Sequence, residues 1–154
     1  MTIAVIWWPP ALLADEIISA RVVQVRDGDT LTAVRSDGRV ELLVVRLYGI
    51  DAPEADQPHG RRAAARLRRL VDGEAVRIEI MQERDRYGRV VGIVKLVNRD
   101  AGRALVAAGL AWVEPRYCKR PLPCRGYQTA EHKARRDRLG LWRGSEPVPP
   151  WVWR

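Results

Sequence analysis

A chain of 154 residues is long enough to bury the core of one domain, and at 47% hydrophobic and 30% charged residues it is composed like a soluble globular protein, not a disordered one. The formal net charge of +8 favours a polyanionic partner. All but three of the 27 basic residues are arginine, an excess that codon bias also produces, so charge raises nucleic acid or an anionic surface without deciding for either.

The chain opens with an apolar stretch, IAVIWWPPALLA at residues 3–14, that is too short for a membrane span and is broken by Pro9 and Pro10. It has no basic leading region, and Leu12 before Ala14 makes a poor cleavage signal. Residues 1–20 read either as a partial secretory leader or as an apolar arm lying on the domain. Next come RVVQVR (21–26) and TLTAVR (30–35), which alternate around Asp27-Gly28-Asp29, and a third strand over 40–50 after the Ser36-Asp37-Gly38 turn. In HGRRAAARLRRLVDG, Ala63, Ala64, Leu67, Leu70 and Val71 recur at helical spacing and Asp72-Gly73 ends the pattern.

Residues 75–81 and 90–97 predict two more strands around the polar loop QERDRYGR. Asp100 is placed to cap a second helix that stops at Gly109, and a third helix is expected over 128–139, before Gly140. The Pro- and Trp-rich tail, 144–154, should be extended and pinned by its tryptophans. Five short strands with a helix inserted after the third predict an α+β domain over 21–143, built on a small barrel. No internal repeat or low-complexity block interrupts it.

Cys118 and Cys124 are the only cysteines, with Pro121 and Pro123 between them. A disulfide ring is the first reading, and it implies an oxidising compartment, secreted or periplasmic. Two free thiols or half of a metal site are the alternatives. A zinc site would need two more ligands, and His59 and His132, the only histidines, stand at no recognisable spacing.

Charged residues gather at the strand ends: Asp29 after the first turn, Arg46 in the third strand, Asp51 and Glu54 at its end, and Arg89 after the RDRYGR loop. On a closed barrel such positions converge on one rim. Each piece alone has a plainer reading, DGDT as a turn, RYGR as a hairpin loop and IDAPE as a strand followed by a proline-initiated turn. As an ordered set they carry more. DGDT, RLYGIDAPE, DRYGR, GLAW and AEHKARRDRLGLW, in that order over residues 21–143, resemble the thermonuclease family, whose type member is staphylococcal nuclease.

The resemblance implies a five-stranded OB-fold barrel with three helices and a calcium-dependent phosphodiesterase acting on DNA and RNA, single-stranded or frayed, to leave 3′-phosphate ends. Asp29 and Asp51 correspond to the calcium carboxylates, assisted by the carbonyl of Ala52. Glu54 corresponds to the residue that activates or positions the attacking water. Arg46 and Arg89 correspond to the arginines that grip the scissile phosphate, and Arg86, Tyr87 and Tyr117 to substrate contacts. Ala52 replaces a threonine, Arg86 a lysine, and Pro115 a tyrosine that helps seat the base. A monomer with no membrane span is expected. Two other classes stand beside this one: an OB-fold module that binds nucleic acid without cleaving it, and an interaction protein that presents Arg61, Arg62, Arg66, Arg68 and Arg69 of the first helix to an anionic partner.

Overall fold

The computed structural model describes residues 16–154, so the leader or arm expected before them lies outside the described residues. The chain runs through β1 (Ile17–Val25), β2 (Thr30–Arg35), β3 (Leu42–Leu47), β4 (Ile50–Asp51) and α1 (Gly60–Val71). It continues through β5 (Ala75–Gln82), β6 (Val90–Leu96), β7 (Arg99–Asp100), α2 (Ala101–Ala107) and β8 (Trp112–Val113). The last elements are α3 (Pro121–Arg136), a 3-10 turn (Gly140–Arg143) and the short α4 (Pro150–Trp153).

Strands β3, β2, β1, β5 and β6 pair in that order, and β3 also pairs with β6, so the five close on themselves as an OB-fold barrel. Four of the five seams are antiparallel; the closing β3–β6 seam is parallel, with Val45 opposite Val90 and Arg46 opposite Val91. Closure leaves no open edge on this part of the sheet. Leu31, Val45, Ile78 and Val94 fill the interior, and α1 and α2 add Leu67 and Leu105, all fully buried. Asp100 caps α2 as expected, accepting from the Arg103 amide at 2.9 Å, and the Tyr127 hydroxyl donates to its other oxygen at 2.8 Å. Among the described residues no helix is long and apolar enough to cross a membrane.

Four expectations about element boundaries change. Strand β1 starts at Ile17, not at residue 21, because Ile18 and Ala20 already face the core and pair with β5. Its alternation slips at a bulge between Val22 and Gln24, which turns Val25 inward and leaves Gln24 outside. The expected third strand is two: the chain breaks at Tyr48-Gly49, where Gly49 takes a φ of 70°, and β4 then leaves the barrel to pair with β8. Helix α3 begins seven residues before residue 128, at Pro121. Proline is tolerated there because the first helical turn has no use for its missing N–H. The tail is pinned by a tryptophan as expected, since Trp151 meets Trp112 edge-on at 6.4 Å, but its end is helical where an extended chain was predicted.

Candidate active site

The turn after β1 is tied by its own side chains. The Asp29 amide donates to Asp27 Oδ1 at 3.0 Å, an Asx turn that fixes where Asp29 points. A Cβ on Gly28 would sit 2.6 Å from Ala52 Cβ and 2.8 Å from Ala63 Cβ, so only glycine lets this turn, the loop after β4 and helix α1 meet. Asp29 is held at both oxygens, by the Thr30 hydroxyl at 3.1 Å and by the Ala52 amide at 2.7 Å. Strand pairing then places Arg46 opposite Thr30.

From there the Arg46 guanidinium forks across two carboxylates: Nη1 lies 2.8 Å from Asp29 Oδ2 and Nη2 3.0 Å from Asp51 Oδ1. Asp51 reaches this point because β4 pairs it with Trp112 of β8. Three residues on, Glu54 is fixed through its backbone. Its amide donates to Gln57 Oε1 and its carbonyl accepts from the Gln57 amide, both at 3.0 Å. Gly60 packs so tightly on that carbonyl that any Cβ would collide with it. Asp29, Arg46, Asp51, Ala52 and Glu54 are thus brought together.

Burial sets the electrostatics. Asp29 and Asp51 are 7% and 4% exposed, and removal from water pushes the Asp29 carboxyl up to about 7 against the pull of Arg46. Burial raises Asp51 also, opposed by Arg46 and Arg154. Although Arg46 Nη1 is in ion-pair contact with Asp29, it makes no aligned hydrogen bond and remains a buried donor with capacity to spare. Buried donors of this kind are costly unless something receives them.

The raised carboxyls predict a pH dependence of stability. Between the ordinary carboxylate range and about pH 7 the folded chain keeps a proton on Asp29 that the unfolded chain has lost. Stability therefore falls as pH rises through that window and levels off above it. Asp51 and Asp100 shift in the same direction. Asp85 and Glu114 shift downward, so their contribution is lost only at lower pH. Thermal melts from pH 5 to 8 should show the decline, and Asp29→Asn should flatten much of it.

The remaining expected residues lie outside this knot of contacts. Arg89 is held by Asp85, with Nε and Nη2 each 2.8 Å from Oδ2. Its guanidinium lies 5.2 Å from the Tyr87 ring centre, and that of Arg86 lies 4.8 Å from it. Tyr87 and Tyr117 are both well exposed. Cys118 and Cys124 form a disulfide that joins the turn after Tyr117 to the first turn of α3.

Three participants carried no signal in the sequence reading. Arg154 places Nη2 against Asp51 Oδ2 and Nε 3.2 Å from Glu54 Oε1. Gln57, buried, donates to the Val148 carbonyl. Glu114, also buried, accepts two bonds from the Arg116 guanidinium, at 3.0 Å each. Arg154 contacts a residue 103 positions away, and no local motif reports a contact of that range.

With a five-stranded barrel and this acid–arginine cluster established, sequence comparison settles the kinship: the family described as "Staphylococcal nuclease homologue" matches residues 44–144. The chain belongs to that family. The match includes Arg46, Asp51, Glu54 and Arg89, while Asp29 precedes it. This nuclease homologue is 40% identical over 146 residues to an "Uncharacterized endonuclease" of Escherichia coli, an alignment covering 94% of this chain and 89% of that protein. It is 38% identical over 144 residues to a "Micrococcal nuclease" of Shigella flexneri, covering 86% and 78% of the two. A Haemophilus influenzae "Uncharacterized endonuclease" is 33% identical over 136 residues, covering 88% and 72%.

Proposed function

We propose that this member of the staphylococcal nuclease homologue family is a calcium-dependent nuclease that hydrolyses phosphodiester bonds of DNA and RNA and leaves 3′-phosphate ends. The observation that carries the reading is Arg46 forked across two buried carboxylates beside the anchored Glu54. Relatives named as endonucleases and as a micrococcal nuclease support the reaction class.

The donor set fits a hard cation. Asp29 and Asp51 offer carboxylate oxygens within reach of one guanidinium, and the Ala52 carbonyl is the third protein ligand in this reading. Among the described residues no group of three or more His, Cys, Asp or Glu side chains is arranged to hold a metal ion, and in this reading water and substrate would supply the remaining ligands. Such a site is weak, with an affinity of about 10⁻⁴ to 10⁻³ M. When bound, calcium supplies positive charge to the phosphoryl oxygens as the transition state forms.

The chain's own groups do the rest. Arg46 turns its spare buried donor toward a phosphoryl oxygen, a role that a planar guanidinium fills better than an ammonium. Arg89 grips the same phosphate once released from Asp85. Glu54, 38% exposed at its side chain, takes a proton from the attacking water. The new P–O bond forms as the bond to the 5′ oxygen breaks; that oxygen leaves with the bonding pair and takes a proton from solvent water to become a hydroxyl, and the phosphate stays on the 3′ side. Arg86, Tyr87 and Tyr117 hold the flanking nucleotides of a single-stranded or frayed substrate, by charge and by stacking. The enzyme acts as a monomer, and the Cys118–Cys124 disulfide supports a secreted or periplasmic site of action.

Plasmid nicking and single-strand cleavage in calcium or in chelator test the reading, with the product ends analysed for 3′-phosphate. Cleavage is expected only with calcium. Salt-sensitive binding without cleavage under any metal would instead make the chain a binding module.

A further inference from the structure

Both oxygens of Asp51 are engaged by guanidinium groups: Arg46 contacts Oδ1 at 3.0 Å and Arg154 contacts Oδ2. A cation that takes Asp51 as a ligand is repelled by these guanidinium groups and competes with them for the carboxylate. Arg46 is a poor candidate to leave. Its side chain is only 15% exposed, it sits in the barrel wall and it is paired with Asp29 as well. The Arg154 side chain is 52% exposed and bridges Asp51 to Glu54 from outside the barrel.

Arg154 is delivered to this spot by a built strap. Trp151 packs edge-on against Trp112, which itself meets Trp142 at 5.6 Å and is the strand partner of Asp51. Gln57 of the Glu54 loop donates to the Val148 carbonyl, and Trp153 Nε1 donates to Asp56 Oδ1 at 3.3 Å. The Arg154 amide and Nε both donate to the Pro150 carbonyl, at 3.1 and 3.3 Å. Residues 148–154 are therefore tied at several points to the segment that carries Asp51 and Glu54, and the guanidinium ends where positive charge is wanted.

We propose that Arg154 is a resident cation of the acid cluster, which a divalent ion displaces from Asp51, so that this residue sets the cation affinity of the site. The inference rests on the calcium reading above. It assigns Arg154 to neither phosphate binding nor proton transfer. In metal-free protein the guanidinium neutralises the Asp51–Glu54 side of the cluster, and on cation binding it swings into solvent while Trp151 keeps the strap docked. Because Glu54 is released in the same movement, loading of the site and freeing of the base are one event.

Calcium binding to the intact protein, without nucleic acid, tests this by calorimetry on the parent, Arg154→Ala, Arg154→Lys and Asp51→Asn. Removing a half-exposed ion pair is expected to tighten calcium binding in Arg154→Ala by roughly three- to ten-fold. Arg154→Lys, which keeps the charge, should stay closer to the parent, and Asp51→Asn should lose binding. Equal affinities for the parent and Arg154→Ala would overturn the competition and leave the calcium reading standing. Weaker binding by Arg154→Ala would also overturn it, since the residue would then be helping to hold the ion. Absence of calcium binding in both would overturn the calcium reading and this inference together. Thermal melts of each variant confirm that the comparison is made on folded protein.

Discussion

Arg46→Lys is expected to lower turnover by roughly 10² to 10³, the range for losing one preorganised donor set to a developing oxyanion. The lysine keeps the positive charge between Asp29 and Asp51 but cannot fork, so it cannot hold both acids and still present a donor to the phosphate. Nucleic-acid binding should change far less, because many of the other arginines are exposed and contribute to it. Single-turnover cleavage beside a binding titration separates the two effects. Arg46→Ala is the harsher variant and answers a different question. It leaves two buried carboxylates without their shared cation, which costs stability by about 3–5 kcal/mol and confuses loss of chemistry with loss of fold. Turnover by Arg46→Lys equal to that of the parent would remove this residue from the mechanism.

Glu54→Gln should slow cleavage by about 10² to 10⁴, the span usual for removing a general base. The amide has the same shape, and the backbone of residue 54 is fixed by Gln57 and Gly60 independently of the side chain. Calcium and nucleotide should therefore still bind. The rate of the chemical step, measured at saturating calcium, is the quantity to compare. If Glu54→Gln matches the parent there, water activation must come from elsewhere and Glu54 is only a partner for Arg154.

The barrel is legible because its strands are short, rich in β-branched and apolar residues and separated by turn residues. Thr30–Arg35 follows from its place between the Asp-Gly turns, and Gly60–Val71 from the three- and four-residue spacing of Ala63, Leu67, Leu70 and Val71. The split after Leu47 was not legible, since LYGID is as apolar as a continuous strand, and the break depends on Gly49 and on a pairing with Trp112 far along the chain. The start of helix α3 is not legible, because Pro121 and Pro123 read as a loop until their place in its first turn is known. At the site, motif order located Asp29, Arg46, Asp51 and Glu54, and the structure brings those four together. Gln57 and Arg154 carry no such mark, since their contacts with Val148 and Asp51 are set by tertiary folding, and Glu114, paired with nearby Arg116, has no residue type or spacing that marks it in the sequence.

The parallel seam between β3 and β6 also bears on when the site comes into being. Hairpins such as β1–β2 and β2–β3 join residues close in sequence, whereas Arg46 meets Val91 only after the whole of α1 and β5 has been threaded between them. Contacts that close long loops cost more chain entropy and tend to form late in folding. A partly folded chain with its first hairpins made would carry every charged group of the cluster yet leave Arg46 on an unpaired edge. The β1–β5 seam, which pairs Ile17 with Glu79, and the β4–β8 pairing of Asp51 with Trp112 close loops at least as long, so the cluster depends on several long-range closures that hairpin formation alone does not supply.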